Sequence, residues 1–454
     1  MALWTSQEIA AATSGTASAP FTVSGVAFDS REVGPADLFV ALKGELTDGH
    51  KFAAQAFAQG ASGAIVSQPV DGPHVLVADT TAALDALGVA SRARTKATIV
   101  GVTGSVGKTS VKEALFAAFD RFVPGQAHRS LKSYNNHVGV PLSLARMPRE
   151  ARFGVFEMGM NHSGELAALT RLVRPDVALV TIVALAHGAF FADESAIADA
   201  KGEIFQGLAP GGTAIIPYDS PHRDRLIAAA LPYAGRIVTF GRDDGADVSA
   251  REGIAAGKGT LVSARLRTCE LTFTVGLPGE HWVSNALAVL AVVEAAGGDI
   301  AAAGLALADM TGLAGRGRRL TIRLPDGDAL LIDEAYNANP ASMRATLKVL
   351  GAERASRRLA ILGGMRELGP SEQAEHAALA APVAEANVDF ALLVGKEMAP
   401  LADALEGRVP FAHVPDAAAA LAEARAIIAP GDAVLVKGSN GIGLQRLVEA
   451  LAEA

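Results

Sequence analysis

One cysteine, Cys269, is too few for an internal disulfide or a thiolate metal site, and it is expected to be a small buried or half-buried residue. Aromatic residues are scarce at 5%, so the cores must be built from Ala, Val, Leu and Ile, which favours α/β architecture over a β-sandwich. Basic residues are not in excess. The net charge of −8 argues against nucleic-acid binding, while a local Arg/Lys cluster still suits a small anionic substrate. The first thirty residues contain no Lys or Arg, so a secretory signal is not expected. The most apolar run, Val177 to Ala192, is too short for a membrane span and includes His187, so it reads as a buried strand and a loop. These absences predict a soluble, cytoplasmic protein.

What is present is a chain of 454 residues, half of them hydrophobic and 19% charged, enough for about three domains at roughly 150 residues each. The first block, 1–96, mixes short strands (23–28, 37–41, 64–66, 75–77) with one clear helix near 52–59. The second, 97–314, alternates strands (99–102, 154–158, 177–183, 213–216, 237–240) with helices near 110–119, 164–172 and 194–208, before a β-rich piece and a helix at 281–296. The third, 315–454, alternates strands (329–332, 358–362, 390–394, 433–436) with helices at 343–350, 372–386 and 417–428. Such alternation predicts right-handed βαβ units, hence a mainly parallel central sheet and a Rossmann-like third domain.

The second block opens on Thr103-Gly104-Ser105-Val106-Gly107-Lys108-Thr109-Ser110, between an apolar strand and a helix. Glycines there let backbone N–H groups converge on phosphate, the helix N-terminus favours anions, Lys108 reaches the β- and γ-phosphates, and Thr109 offers its hydroxyl to Mg²⁺. The loop therefore predicts ATP. The usual G-x-x-x-x-G-K-[ST] form has Gly where this chain has Val102, and the form that fits is T-G-x-x-G-K-T-[ST]. A second Gly-rich loop, 437–443, lacks the Lys-Thr/Ser pair and reads as a tight turn with anion affinity.

Parallel sheets bind ligands at the carboxyl ends of their strands, so Glu157, His187 and Lys201 stand out. A carboxylate at 157 suits Mg²⁺ beside the loop. Singly, each has an ordinary alternative: a solvated or capping glutamate, a structural histidine, an exposed helix lysine. All three near one sheet edge with a phosphate loop make a site.

These segments resemble the Mur ligase family, the ATP-dependent amide-forming enzymes of peptidoglycan precursor synthesis. The loop 103–110 fits the family form, Phe156-Glu157-Met158-Gly159 looks like its metal-binding strand end, and Ala186-His187 with Ala200-Lys201-Gly202-Glu203 looks like its His and Lys segment. Within the family, the runs 28–44, 134–141, 333–343 and 363–369 are most similar to members that add D-Ala-D-Ala to UDP-N-acetylmuramoyl-tripeptide. The Asp-Asn-Pro-Arg signature of the diaminopimelate-adding members is absent. The departures are Val106 in place of a small polar residue and Glu334 in place of a second Asp.

The resemblance implies a carboxylate activated as an acyl phosphate by ATP, then captured by an amine. It implies Lys108, Glu157, His187 and a carbamylated Lys201 as catalytic residues, with Thr109, Glu157, His187 and Lys201 holding Mg²⁺. The nucleotide contacts implied are the loop 103–110, Asn285, Arg316 (favoured within the Arg-rich 316–319), Asp333, Tyr336 and Asn337. The substrate contacts are Ser30, Arg31, Asp48, Gly49, His50, Asn135, Asn136 and Asn339. A monomer is expected. The competing readings are another Mur-type ligase (diaminopimelate- or lysine-adding), a folylpolyglutamate synthase-like ligase, a P-loop kinase or regulatory ATPase, and a non-catalytic nucleotide-binding module.

Overall fold

The strand 98–103, Thr-Ile-Val-Gly-Val-Thr, has apolar residues at successive positions rather than every second one, and it lies in the middle of a sheet covered on both faces. Val100 and Val102 point into one core, shared with helices Lys108–Phe122 and Glu280–Ala295. Ile99 points into the other, shared with helices Glu165–Val173 and Glu194–Gly202. This computed structural model describes residues 2–44, 47–185, 189–256 and 259–453.

The central sheet has nine strands, in the order Glu270–Val275, Gly259–Arg265, Val248–Ala256, Arg236–Gly241, Thr213–Pro217, Val177–Val180, Thr98–Thr103, Phe153–Glu157 and Ala127–Arg129. Six neighbouring pairs are parallel, and the Val248–Ala256, Gly259–Arg265 and Glu270–Val275 edge is antiparallel. From Thr98–Thr103 the chain moves outward to the Ala127–Arg129 edge, returns through Phe153–Glu157, and crosses to Val177–Val180 on the other side. The carboxyl end of Thr98–Thr103 is thus a topological switch point, where open α/β sheets form their ligand crevice.

The first block forms a five-stranded sheet ordered Thr16–Ala17, His74–Leu76, Gly63–Val66, Asp37–Val40, Gly25–Ala27, parallel except at its first strand. It is joined to the central domain by helix Gly139–Ala145, whose Leu142 and Ala145 enter its core. Trp4 Nε1 donates to the Ala145 carbonyl at 2.9 Å, and Arg146 Nε donates to that of Val26 at 2.5 Å. In the third block six strands run Arg318–Leu324, Gly327–Glu334, Ala433–Lys437, Arg358–Gly363, Phe390–Val394, Phe411–Val414, antiparallel only in the first pair.

Several expectations need correction. The first block holds helices Ser6–Thr13 and Thr80–Arg94 besides the short one at Ala53–Ala58. Thr80–Arg94 is fifteen residues long and starts at Asp79, whose carboxylate accepts from Thr81 N and Ala82 N. The 194–208 and 372–386 helices are each broken, into Glu194–Gly202 plus a 3₁₀ turn and into Glu372–Ala377 plus Ala380–Glu385. Cys269 is exposed, in the turn between strands Gly259–Arg265 and Glu270–Val275. No helix among the described residues is long and apolar enough to cross a membrane.

Candidate active site

At the switch point, the loop before helix Lys108–Phe122 reverses through Gly107, at φ +88°. A Cβ there would meet Asn285 Oδ1 at 2.8 Å, so glycine lets helix Glu280–Ala295 approach the loop. The loop is tied down from the next strand: Ser105 N donates to Ile182 O (2.8 Å), Ser105 Oγ to Ala184 O (2.8 Å) and Thr181 Oγ1 to Val106 O (2.6 Å). Val106 thus serves through its carbonyl, which any residue could supply. Lys108 Nζ donates to Gly104 O at 2.6 Å, and burial draws its pKa below the usual lysine range. Thr103 is fully buried beneath the loop, its hydroxyl without a partner.

Glu157 ends its strand beside this loop with 1% exposure. Its carboxylate accepts from Thr109 Oγ1 at 2.9 Å and from Asn135 Nδ2 at 2.8 Å, with Lys112 Nζ 3.9 Å away. Lys201 is 2% exposed and, among the described residues, pairs with no carboxylate. Burial, with the charge of Lys108 acting in the same direction, pulls its pKa well below the usual range.

The third domain faces these groups. Tyr336 Oη donates to Ser133 Oγ at 2.8 Å, and the Arg316 guanidinium lies 4.2 Å over the Tyr336 ring. Ala189 N donates to Glu367 O at 3.0 Å, and Lys348 pairs with Glu280 at 3.0 Å. Between the domains lies a cleft of about 750 Å³. Ser105 to Ser110, Asn135, Glu157, Lys201, Asn285, Arg316, Tyr336, Asn337 and Asn339 all line it.

Other expected residues sit elsewhere. Asp333 is buried off the cleft wall, where it accepts from Gly315 N (2.8 Å) and Arg318 Nη2 (3.1 Å) and so shapes the turn presenting Arg316. Asn136 accepts from Val138 N and Gly139 N, closing the turn before helix Gly139–Ala145. Asn339 lines the cleft and caps helix Pro340–Gly351 through Ser342 N. In the first domain, Ser30 bonds Gln55, and exposed Arg31 pairs with Asp29. His50 accepts from Ser67 N at 2.8 Å through Nε2, so its Nδ1 carries the proton donated to Asp48, 2.6 Å away. Gly49 is required by close backbone approach, since a Cβ would meet Leu42 O at 2.6 Å. None of these five lines the cleft, and His187 lies outside the described residues.

The cleft also contains Lys437, Arg366 and Ser439, which the sequence reading did not assign. Lys437 and Ser439 belong to the Gly-rich run 437–443, and the strand-end rule that selected Glu157 applies equally to Lys437. Asn135 and Asn136 make a direct test. Asn136→Ala is expected to cost about 1 kcal/mol of stability through the lost turn bonds. Asn135→Ala, which frees one Glu157 oxygen inside the cleft, is expected to lower kcat about tenfold or more. Urea unfolding and steady-state kinetics on both variants check this.

Family models match three segments: the Mur ligase catalytic domain at residues 22–114, the Mur ligase middle domain at 102–293, and the Mur ligase glutamate ligase domain at 318–440. UDP-N-acetylmuramoyl-tripeptide–D-alanyl-D-alanine ligase of Escherichia coli is 36% identical over 440 residues, covering 96% of this chain and 95% of that protein. Among solved structures, MurF from Acinetobacter baumannii matches with a TM-score of 0.86 and 31% identity over 99% of both chains. MurF ligase from Thermotoga maritima, solved in complex with ADP, matches at 0.79 and 25% identity over 94% of this chain and 97% of that one.

Proposed function

The chain belongs to the Mur ligase family, and from that premise we propose that it joins D-alanyl-D-alanine to UDP-N-acetylmuramoyl-tripeptide, releasing ADP and phosphate. The product is the pentapeptide precursor of peptidoglycan. The observation that carries this reading is the single cleft in which the phosphate loop, Glu157 and Lys201 face Arg316, the Tyr336–Asn339 turn and Lys437 across a domain boundary.

A carboxylate and an amine do not condense in water unaided. Transfer of the γ-phosphoryl group of ATP to the tripeptide carboxylate makes an acyl phosphate, and the acceptor amine then displaces phosphate. The protein's work in the first step is positioning and charge neutralisation. Loop amides and Lys108 take the phosphates, and Asn285 and Arg316 hold the nucleotide from two sides. Thr109 and Glu157, in contact at 2.9 Å, offer a hydroxyl and a carboxylate, the hard oxygen donors Mg²⁺ takes alongside phosphate. Bound there, Mg²⁺ would neutralise phosphate charge. Among the described residues no three His, Cys, Asp or Glu side chains gather, as suits an ion shared with its substrate.

Lys201 is proposed to carry a carbamate. Burial and the neighbouring Lys108 charge favour the neutral amine, the form that attacks CO₂, and the resulting anion would convert a poor metal ligand into a good one. With His187 it would hold a second Mg²⁺. Closure of the third domain excludes water from the hydrolysable intermediate. Ser30, Arg31, Asp48, Gly49 and His50 are kept as the proposed surface for the UDP end, Asp333 as support for the nucleotide side, and Asn136 for the sugar-peptide. A monomer working in the cytoplasm is part of the same proposal.

The test is ADP release with UDP-N-acetylmuramoyl-tripeptide, with and without D-alanyl-D-alanine, against single amino acids as acceptors. Multiple turnovers are expected only with the dipeptide. Equal turnover with diaminopimelate or glutamate would overturn the assignment.

A further inference from the structure

The second half of the reaction needs a base, because the acceptor arrives as an ammonium with a pKa of roughly 8. Glu334 and Lys437 end adjacent parallel strands and are partners in register. Lys437 Nζ donates to Asn337 O at 2.9 Å and sits 3.5 Å from Glu334 Oε2, both groups lining the cleft. The Lys437 side chain is 2% exposed and that of Glu334 14%. Lys437 Nζ is thus held within the wall by Asn337 O and Glu334, while Glu334 lines the cleft with part of its side chain exposed. Among the described residues, no backbone amide or hydroxyl donates to this carboxylate.

We propose that Glu334 is the base that takes a proton from the ammonium of the incoming acceptor, with Lys437 setting its basicity. The inference rests on the ligase reading above. In the step, one ammonium proton passes to the Glu334 carboxylate, and the freed nitrogen lone pair forms the C–N bond. The acyl C–O bond breaks with its electron pair leaving on the phosphate oxygen. The second surplus nitrogen proton leaves with the phosphate as HPO₄²⁻, and the protonated Glu334 returns its proton to solvent when the cleft opens.

The surroundings suit this task. Burial pushes the Glu334 carboxyl above the usual carboxylate range, while Lys437 and Arg316 pull it back and Asp333 adds to the rise. His281, which faces Lys437, is driven down to about 4 by burial and the Lys437 charge, so it is neutral and brings no competing cation. A carboxylate nearer the pKa of the amine it serves is the better base.

Glu334→Gln in the full-length enzyme separates the half-reactions. In rapid quench with ATP and UDP-N-acetylmuramoyl-tripeptide, the single-turnover ADP burst is expected within about twofold of wild type. Amide formation with D-alanyl-D-alanine is expected to fall about 10²-fold. Hydroxylamine, largely unprotonated at neutral pH, should still trap the acyl group at the wild-type rate. Removing the cation in Lys437→Met raises the Glu334 pKa further. A base must be ionised to act, so the acid-side loss of kcat should move to higher pH. The proposal is overturned if Glu334→Gln keeps the wild-type rate and pH profile, or if burst, hydroxylamine trapping and ligation fall together, the mark of a packing role. Should the wild-type enzyme form no amide with the dipeptide while turning over another acceptor, the ligase assignment fails; the Glu334→Gln comparison is then made with that acceptor.

Discussion

Lys201→Ala is expected to reduce ligation by roughly 10³-fold or more while ATP still binds, on the scale of losing a charge-stabilising group in a water-excluded site. Lys201 ends helix Glu194–Gly202 at 2% exposure with no carboxylate partner among the described residues, beside the charge of Lys108. As a plain ammonium it would be a second unpaired buried cation next to the first, an arrangement that costs several kcal/mol per ion. As a carbamate it would be an anion beside the Lys108 cation, able to serve as a metal ligand, and the two buried charges would then attract rather than repel. Two measurements decide. Nucleotide binding followed by fluorescence should be near normal in the variant. Wild-type enzyme freed of CO₂ should lose activity and regain it with bicarbonate. Full activity in CO₂-free buffer would remove the carbamate, though not the ligase assignment.

Lys108→Met is expected to lower kcat by about 10³- to 10⁵-fold, the range seen when a charge contact to a transferring phosphoryl group is lost. The variant should be as stable as wild type or slightly more so. Methionine matches the lysine stem in length, and removing a buried charge relieves desolvation. The one internal bond lost is that from Nζ to Gly104 O. This combination separates a chemical role from a structural one. Single-turnover phosphoryl transfer measures the first and thermal unfolding the second, and a variant that loses both would make Lys108 a prop for the loop.

The parts of the site legible in the sequence are those written locally. The loop at 103–110 and Glu157 follow from strand ends and glycine spacing, and the structure brings Lys201 to the same cleft, 44 residues after Glu157. What escaped depends on meetings across long separations. Tyr336 reaches Ser133 over 203 positions, and nothing near either residue signals it. Lys437 meets the same strand-end rule as Glu157, but its pairing with Glu334 depends on its strand lying beside Gly327–Glu334 in the sheet, out of chain order. Asp333 misled in the opposite way: a carboxylate at a strand end beside arginines reads as a ligand contact, yet backbone and Arg318 occupy it. Helix Thr80–Arg94, rich in Ala, Leu and Arg, is helical in composition, and its absence from the sequence expectations has no basis in local propensity. Burial of Leu84 and Leu87 fixes it against the first core.

Among the described residues, the polar contacts between the third domain and the central one include the Tyr336 hydroxyl and the Arg316 guanidinium on Ser133, a backbone bond from Ala189 to Glu367, and a surface pair between Lys348 and Glu280. Each is worth about 1 kcal/mol or less in water. Contacts of this size leave a large share of the closing energy to ligands that bridge the two walls. Lifetime in the shut form is therefore governed by whatever bridges the two walls, and it shortens as soon as ADP and phosphate replace their charged precursors. The expected consequence is that the chemistry consuming the bridging ligands also loosens the clasp, so that tightening it by engineering slows turnover rather than improving it.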